Sequence, residues 1–258
     1  MKEQLRVTII QADLIWEDKN ANLKNFEKKI SKISQTDLIV LPEMFTTGFT
    51  MNPKPLAETM DGKTVKWMLQ IASEKKCLLL GSAIIEEDNK YYNRLIAAFP
   101  DGSIQFYDKK HLFTLANEHH TYTAGTQQLL IEYQGWRIFP LICYDLRFPV
   151  WARNTENYDL LIYIASWPKP RIFAWDTLLK ARAIENMAYT IGVNRVGIDA
   201  NDFEYSGHSI VLDAYGADLI TTNENQEQIS STILDKINLN KVREKLPFLN
   251  DKDDFKLL

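Results

Sequence analysis

Short apolar runs rich in β-branched residues recur along the whole chain and alternate with segments of helical periodicity. Three segments place their apolar residues at helical spacing, at 20–34, 64–73 and 173–187. The predicted strands are 5–11, 37–43, 77–85, 91–99, 104–107, 136–143, 160–166, 189–197, 206–216 and 229–234. Strand–helix–strand and strand–turn–strand units are mixed, which predicts an α/β fold with mixed β-sheets rather than a doubly wound parallel sheet.

No repeat, low-complexity tract or Gly/Ser linker divides the chain. Its 258 residues are enough for one large core without covalent cross-links. We therefore expect residues 1–258 to form a single domain. The charged tail from about residue 240 is expected to lie on the surface or against a neighbouring chain.

The net charge, the N-terminal segment and the number of cysteines limit the classes of partner and compartment to consider. Lys plus Arg number 30 and Asp plus Glu number 34, a net charge of −4, which argues against a nucleic-acid partner. The apolar stretch near the N-terminus is too short and too polar for a signal sequence or a membrane span, so no membrane partner is expected. With only Cys77 and Cys143 present, a reducing compartment is the simpler interpretation, and we expect a cytoplasmic protein.

Three residues with reactive side chains each follow a predicted strand. In α/β folds, functional sites gather at the carboxyl ends of strands. They are Glu43, Lys109 and Cys143. Cys143 is predicted to stand where a strand passes into a helix, whose N-terminus would lower the pKa of the thiol and offer free N–H groups to an oxyanion. An inert buried cysteine is the alternative, and it is the favoured interpretation of Cys77, which opens an apolar run.

Glu43 and Lys109 also have ordinary explanations. A carboxylate that loses water at the end of a buried strand is suited to general acid–base work, but Glu43 could instead cap a helix or pair with a lysine. Lys109 and Lys110 are adjacent, so only one can point inward on a strand, and a buried lysine would be a candidate oxyanion donor. The alternative is that both lysines are solvated.

Histidines provide the competing hypotheses. His111, His119 or His120 could form a thiol–imidazole pair with Cys143, as in a thiol peptidase, or a zinc site with Glu118 and Cys143. No recognised zinc spacing is present, and His208 is best explained as structural. Phosphate-binding glycine loops are absent from the sequence.

Taken together, the segments around the three residues resemble the nitrilase, or carbon–nitrogen hydrolase, superfamily. The likeness is carried by VLPEMFTTGF, YDKKHLF and LICYDLRFP, and continues through ASWPKPR, LKARAIEN, GVNRVG and YSGHSIVLDAYG. It covers roughly residues 5 to 235. The resemblance implies a four-layer α–β–β–α sandwich with two mixed sheets, assembled as a homodimer.

The same resemblance implies a Glu43–Lys109–Cys143 triad that works through a thioester, without metal or cofactor. It selects Lys109 over Lys110, makes His111 structural, and assigns Glu118, upstream of Gly125, a supporting role. The backbone N–H of Tyr144 would join Lys109 in holding the oxyanion. Met187 departs from the polar residue expected after ARAIEN, which questions the local packing rather than the chemistry.

Within the superfamily, CYDLRFPVW, SWPKPR and RAIENMAY look most like the bacterial YafV-type omega-amidases. These hydrolyse the terminal amide of 2-oxoglutaramate and 2-oxosuccinamate to the 2-oxo acid and ammonia. The alternatives are another branch of the family (aliphatic amidase, nitrilase or carbamoylase) or a non-catalytic binding module on the same fold.

An omega-amidase must also hold the distal carboxylate of its substrate, for which arginine is the natural partner. Arg171 is the first candidate, and Arg195 and Arg147 are weaker, since an intrahelical salt bridge is the favoured interpretation of Arg147. Trp167, Phe45 and Trp175 are candidate walls of the pocket.

Overall fold

The computed structural model describes residues 2–256. Within that range, strands form where the β-branched and aromatic runs lie, and most of their residues are buried. The strands are β1 (Gln4–Gln11), β2 (Leu38–Val40), β3 (Leu78–Glu87), β4 (Lys90–Ala98), β5 (Ile104–Asp108), β6 (Ile131–Tyr133), β7 (Trp136–Ile142), β8 (Leu160–Ala165), β9 (Tyr189–Asn194), β10 (Val196–Ile198), β11 (Glu204–Ser206), β12 (Ile210–Leu212), β13 (Asp218–Thr221) and β14 (Gln228–Asp235).

The helices are α1 (Lys19–Ser31), α2 (Lys63–Lys75), α3 (Glu118–Thr121), α4 (Pro149–Ala152), α5 (Ile172–Asn186) and α6 (Lys236–Lys245). Three longer helices, α1, α2 and α5, bury apolar residues against a sheet, as their residue spacing predicts. Short 3₁₀ turns occupy Thr114–Ala116, Cys143–Arg147, Lys169–Arg171 and Phe248–Asp251. Among the described residues, no helix has both the length and the apolar character needed to cross a membrane.

Two six-stranded mixed sheets form the centre of the molecule. The first has the order β14-β1-β2-β3-β4-β5, and the second has the order β13-β12-β9-β8-β7-β6. In the first sheet β1, β2 and β3 are parallel, while β4 runs antiparallel to both β3 and β5. The ends of β2 and β5 and the beginning of β4 therefore lie at one edge of the sheet. In the second sheet β7, β8 and β9 are parallel.

The core is divided between these layers. One buried cluster joins the inner face of the first sheet to the second sheet and to α5. It includes Val7 and Leu80 from the first sheet, Ile138 from the second sheet and Leu179 from α5. A second cluster packs α1 and α2 against the outer face of the first sheet. The architecture is thus α–β–β–α, as the resemblance implied.

Several boundaries differ from the sequence prediction. The strand predicted at 37–43 is shorter, Leu38–Val40, because the chain turns at Pro42 toward β3. The segment after Cys143 is a five-residue 3₁₀ turn and not a long helix. The charged tail contains α6, capped by Asp235, whose apolar Leu239 and Val242 are buried. Its few apolar residues explain why the sequence pattern missed it.

Candidate active site

Four ionisable side chains meet at one edge of the two sheets. Glu43 follows β2, Lys109 follows β5, Glu118 begins α3, and Cys143 follows β7. The Nζ atom of Lys109 lies 2.9 Å from Oε1 of Glu43 and 2.9 Å from Oε2 of Glu118. All three of these side chains are fully buried. The structure therefore brings together the residues that the sequence analysis selected at distant positions.

Glu43 is held by both sheets. Its Oε2 accepts a hydrogen bond from the backbone N–H of Ser166, which follows β8, at 2.8 Å. The turn after Glu43 is fixed to β3, because the backbone N–H of Met44 donates to the hydroxyl of Ser82 at 2.8 Å. The carboxylate thus has a defined position at the junction of the two sheets.

Lys109 is a permanent cation in this environment. Burial disfavours the ammonium, but the charges of Glu118 and Glu43 outweigh that effect and raise the pKa of Lys109 above its ordinary value. Burial raises the pKa of Glu118, with Lys109 opposing the change. The ammonium of Lys109 also lies 5.0 Å from the ring of Phe49, a cavity residue that the sequence analysis missed.

Glycine at position 125 is required by this arrangement. Its backbone N–H donates to the carbonyl of Lys109 at 2.9 Å. A Cβ atom at Gly125 would lie 2.1 Å from the backbone oxygen of Asp108, closer than any real contact. The loop that carries Glu118 can therefore pack on the Lys109 backbone only with glycine at this position.

Cys143 occupies a strained backbone position. Its φ is +46°, in the left-handed region that residues with a Cβ rarely adopt. The strain arises where β7 turns sharply into the 3₁₀ turn, and 9% of the residue remains exposed to the neighbouring cavity. The carboxylate of Asp145 fixes this turn by accepting from the backbone N–H of Ile142 at 3.0 Å.

The resting state of the thiol differs from the sequence expectation. Burial, followed by the negative charge of Glu43, raises the pKa of Cys143 well above its ordinary value, and Lys109 opposes this only in part. A 3₁₀ turn of five residues also lacks the dipole of a long helix. Cys143 therefore rests as a neutral thiol, and the lowered pKa that the sequence analysis expected is not found.

The histidines do not take part in this cluster. Nδ1 of His111 lies 2.8 Å from Oδ1 of Asp145, and its ring stacks on Phe148 with centroids 3.7 Å apart. His119 and His120 are exposed. Across residues 2–256, no group of three or more His, Cys, Asp or Glu side chains has an arrangement that could hold a metal ion. The thiol–imidazole pair and the zinc site are therefore not supported.

A cavity of about 650 Å³ opens above Cys143. Tyr144, Ser166, Trp167, Arg147 and Arg171 are among its lining residues. Cys143 is itself a lining residue and is 9% exposed, so it is accessible from the cavity.

The guanidinium groups of Arg147 and Arg171 stack on aromatic rings, 4.9 Å from Trp167 and 5.1 Å from Phe113. Within the described part of the chain, neither has a carboxylate within salt-bridge distance, so the intrahelical salt bridge expected for Arg147 is absent. The two acidic residues of the cavity are engaged: Glu17 accepts from the Thr50 hydroxyl and Asp199 from the Tyr205 hydroxyl. Two uncommitted cations therefore face the cavity.

Phe45 and Arg195 lie elsewhere. Phe45 is fully buried between the first sheet and its helices, 5.4 Å from the ring of Phe26, because the turn after Glu43 directs it into the core. Phe49 is the phenylalanine that lines the cavity. Arg195 is buried and pairs with Asp13 at 2.9 Å. Trp175 packs in the core at 5.5 Å from Trp167.

Met187, which departs from the expected pattern, is the left-handed C-cap of α5. It is buried, and its carbonyl accepts from Nε of Arg243 on α6 at 2.7 Å. The local packing accommodates it at a distance from the catalytic cluster.

Comparison with known proteins gives a consistent result. The family model described as carbon–nitrogen hydrolase matches residues 6–245. The chain is 44% identical to omega-amidase YafV of Escherichia coli K12 over 98% of both chains, and 34% identical to 2-oxoglutaramate amidase of Bacillus subtilis over 95% of this chain and 96% of that one.

Solved structures extend the comparison to the fold. A CN-hydrolase superfamily protein of Xanthomonas campestris superimposes with a TM-score of 0.97 at 40% identity over the full length of both chains. Nit3 of Saccharomyces cerevisiae, a member of the nitrilase superfamily, matches with a TM-score of 0.86 at 25% identity over 96% of both chains.

Proposed function

The chain belongs to the carbon–nitrogen hydrolase family, and on that premise we propose that it is an omega-amidase that works through Cys143, Glu43 and Lys109. It hydrolyses the terminal carboxamide of a 2-oxo dicarboxylic acid monoamide to the 2-oxo acid and ammonia. The observation that carries the site assignment is the buried Glu43–Lys109–Glu118 cluster beside a thiol at the base of a cavity.

The first half-reaction forms a thioester. Because the thiol of Cys143 rests protonated, Glu43 takes its proton as the sulfur attacks the amide carbon. The carbonyl oxygen becomes an oxyanion, held by the ammonium of Lys109 and the backbone N–H of Tyr144, which is near the start of a 3₁₀ turn and has no carbonyl of that turn to bond. Protonated Glu43 then gives its proton to the departing nitrogen, and ammonia leaves.

The second half-reaction hydrolyses the thioester and regenerates the free enzyme. Glu43 takes a proton from water, the resulting nucleophile attacks the thioester carbon, and the carbon–sulfur bond breaks. The thiolate of Cys143 recovers the proton and the 2-oxo acid is released. Glu118 keeps the ammonium of Lys109 in place through both steps, since it accepts two hydrogen bonds from Nζ at 3.0 and 2.9 Å.

The substrate carboxylate is the group that the cavity arginines would hold. A planar guanidinium matches a carboxylate in a two-point contact, and stacking on Trp167 and Phe113 presents Arg147 and Arg171 toward the cavity. We assign the distal carboxylate to these two residues, with Trp167 as a wall.

The direct test is ammonia release from 2-oxoglutaramate by the native chain and by Cys143→Ala in parallel. Native turnover with none from the variant supports the proposal, whereas equal release from both, or no release by the native chain, contradicts it. Succinamide, which lacks the carboxylate, serves as the uncharged substrate.

The carboxylate anchor has its own test. Arg171→Ala and Arg147→Ala are each expected to raise KM for 2-oxoglutaramate by about 10- to 100-fold, with little change for succinamide, because a charged hydrogen bond contributes about 1.5–3 kcal/mol. Arg137→Ala, which removes an arginine outside the cavity, is the matched control. Equal effects on both substrates would remove the arginine from the carboxylate site.

We further propose that residues 1–258 form one domain that assembles as a homodimer in the cytoplasm. One buried cluster spans both sheets and α5, which supports a single folding unit. Both cysteines are free, and a nucleophilic thiol needs a reducing environment to stay so. The apolar side chain of Phe173 on α5 is 81% exposed, and we propose it as part of the contact with the second chain.

A further inference from the structure

Asn93 is a fully buried polar residue at the catalytic cluster that the mechanism above does not use. It lies near the beginning of β4, at the sheet edge where β2 and β5 end. Its backbone carbonyl accepts from the N–H of Lys109 at 3.0 Å. Its Nδ2 donates to Oε1 of Glu43 at 2.8 Å and lies 3.5 Å from Oε1 of Glu118. One residue therefore contacts three members of the cluster.

The hydrogen-bond inventory of Glu43 is uneven between its two oxygens. Oε1 receives the ammonium of Lys109 at 2.9 Å and the amide of Asn93 at 2.8 Å, which together occupy its two lone pairs. Among residues 2–256, Oε2 receives only the backbone N–H of Ser166. Oε2 is thus the oxygen with capacity left to accept the proton of Cys143.

The orientation of the Asn93 amide follows from its neighbours. If the amide were turned over, its oxygen would face two carboxylates, which is repulsive, so Nδ2 must point toward them. The Oδ1 atom consequently has no hydrogen-bond partner among the described residues, although it is buried. A buried acceptor without a partner is unfavourable, so the residue is not explained by packing alone.

The charge balance of the cluster explains why a neutral amide such as that of Asn93 is favourable here. The cluster contains two carboxylates, Glu43 and Glu118, but one ammonium, Lys109. A neutral donor stabilises the carboxylate form of Glu43 without competing with it for a proton. The other titratable groups around Glu43 are Tyr122 beside α3, Tyr205 on β11 and Cys143 itself.

We propose that Asn93 is a positioning residue that occupies Oε1 of Glu43 and reserves Oε2 for proton exchange with Cys143. This inference rests on the proposed role of Glu43 as the base. Without the amide, Oε1 would also be open, and the carboxylate could rotate so that Oε2 is no longer held toward Cys143.

The experiment compares Asn93→Ala, Asn93→Ser and Asn93→Asp with the native chain. The readouts are kcat, KM and the pH profile of kcat/KM for 2-oxoglutaramate, together with the pH dependence of Cys143 alkylation by iodoacetamide. Alkylation reports on Cys143 because this residue lines the cavity, whereas Cys77 is fully buried. The matched control is Asn154→Ala, since Asn154 is a buried asparagine whose amide holds only backbone groups away from the site.

We expect kcat for Asn93→Ala and Asn93→Ser to fall about 10- to 100-fold with KM little changed, as removal of a hydrogen bond to a charged group predicts. Both pH profiles should shift, because the carboxylate that exchanges a proton with Cys143 has lost a hydrogen bond. Asn93→Asp should lose more, since a third carboxyl forces the cluster to bind another proton. Asn154→Ala should lower Tm and move neither profile.

The proposal is overturned if the Asn93 variants lose stability like Asn154→Ala but keep the native pH profiles. Alkylation separates this outcome from failure of the proposed function, because it needs no amide turnover. If the native chain releases no ammonia yet Asn93 variants shift the alkylation profile, the omega-amidase assignment fails and the role of Asn93 stands.

Discussion

At the scale of single residues, the site contains more buried carboxylates than ammonium groups. The ammonium of Lys109 lies between the carboxylates of Glu43 and Glu118, and all three groups are removed from water. Such a group of charges is stable only when each charge has partners, because burying an unpaired ion is unfavourable. The amide of Asn93 and the N–H groups of Ser166 and Phe113 supply the remaining donors.

This balance predicts the behaviour of Lys109→Met. Removal of the ammonium leaves two adjacent buried carboxylates, which we expect to lower the free energy of unfolding by about 3–5 kcal/mol and kcat by at least 10²-fold. At least one carboxyl must then bind a proton in the folded state at a pH where it is ionised in the unfolded chain. The folded state thus binds more protons, and stability falls as pH rises from about 5 to 8.

The measurement is Tm across that pH range, with ammonia release in parallel. The matched control is Lys110→Met, because Lys110 is the adjacent lysine and its ammonium lies 5.3 Å from the ring of Trp151 outside the cluster. A Lys109→Met variant whose Tm follows pH in the same way as the control would refute the proposed balance.

At the scale of elements, the turn that carries Cys143 depends on one buried carboxylate. Oδ2 of Asp145 accepts from Ile142 N–H and from the hydroxyl of Tyr107, while Oδ1 accepts from the backbone N–H of His111. These contacts join the end of β7 to the segment that follows Lys109. The positions of Cys143 and Lys109 are therefore fixed relative to each other.

We expect Asp145→Asn to lower kcat about 10²-fold with KM changed by less than about threefold, since small displacements of reacting groups affect the chemical step most. Stability should also fall, by about 2–4 kcal/mol, because buried donors lose their acceptor. Steady-state kinetics and chemical denaturation measure the two effects.

The control is Asp235→Ala, which removes the N-cap of α6 and should cost about 1 kcal/mol without changing kcat. If Asp145→Asn retains native kcat at a temperature where it is fully folded, the turn does not need this carboxylate to position Cys143.

At the scale of the whole molecule, the arrangement of two sheets face to face creates the site. Glu43 and Lys109 belong to the first sheet, Cys143 and Ser166 belong to the second, and the hydrogen bond from Ser166 to Glu43 crosses between them. Neither sheet alone carries the Glu43 carboxylate together with the Cys143 thiol.

The homodimer proposal makes a prediction at this scale. Phe173 is the most exposed large apolar side chain among the described residues, and Phe173→Asp should shift the chain from dimer toward monomer. Analytical ultracentrifugation would report a mass close to 29.9 kDa for the monomer. Ile233→Asp, an exposed apolar position on β14, is the matched control. A native chain that sediments as a monomer would end the proposal.

The pattern of apolar residues along the chain is enough to predict the fold class and the positions of most elements, because its periodicity reports which face each segment buries. The sequence also selected Glu43, Lys109, Glu118 and Cys143, through their places after strands and through the resemblance around them. These inferences rest on apolar periodicity and short motifs, both of which are properties of neighbouring residues in the chain.

How those residues act on one another depends on the packed structure. The exposure of Phe49 instead of Phe45, the free guanidinium of Arg147, the raised pKa of Cys143 and the contacts of Asn93 depend on groups sixteen or more residues apart in the chain. Burial and electrostatic interactions depend on distance in space, and the packing of one sheet against the other sets that distance.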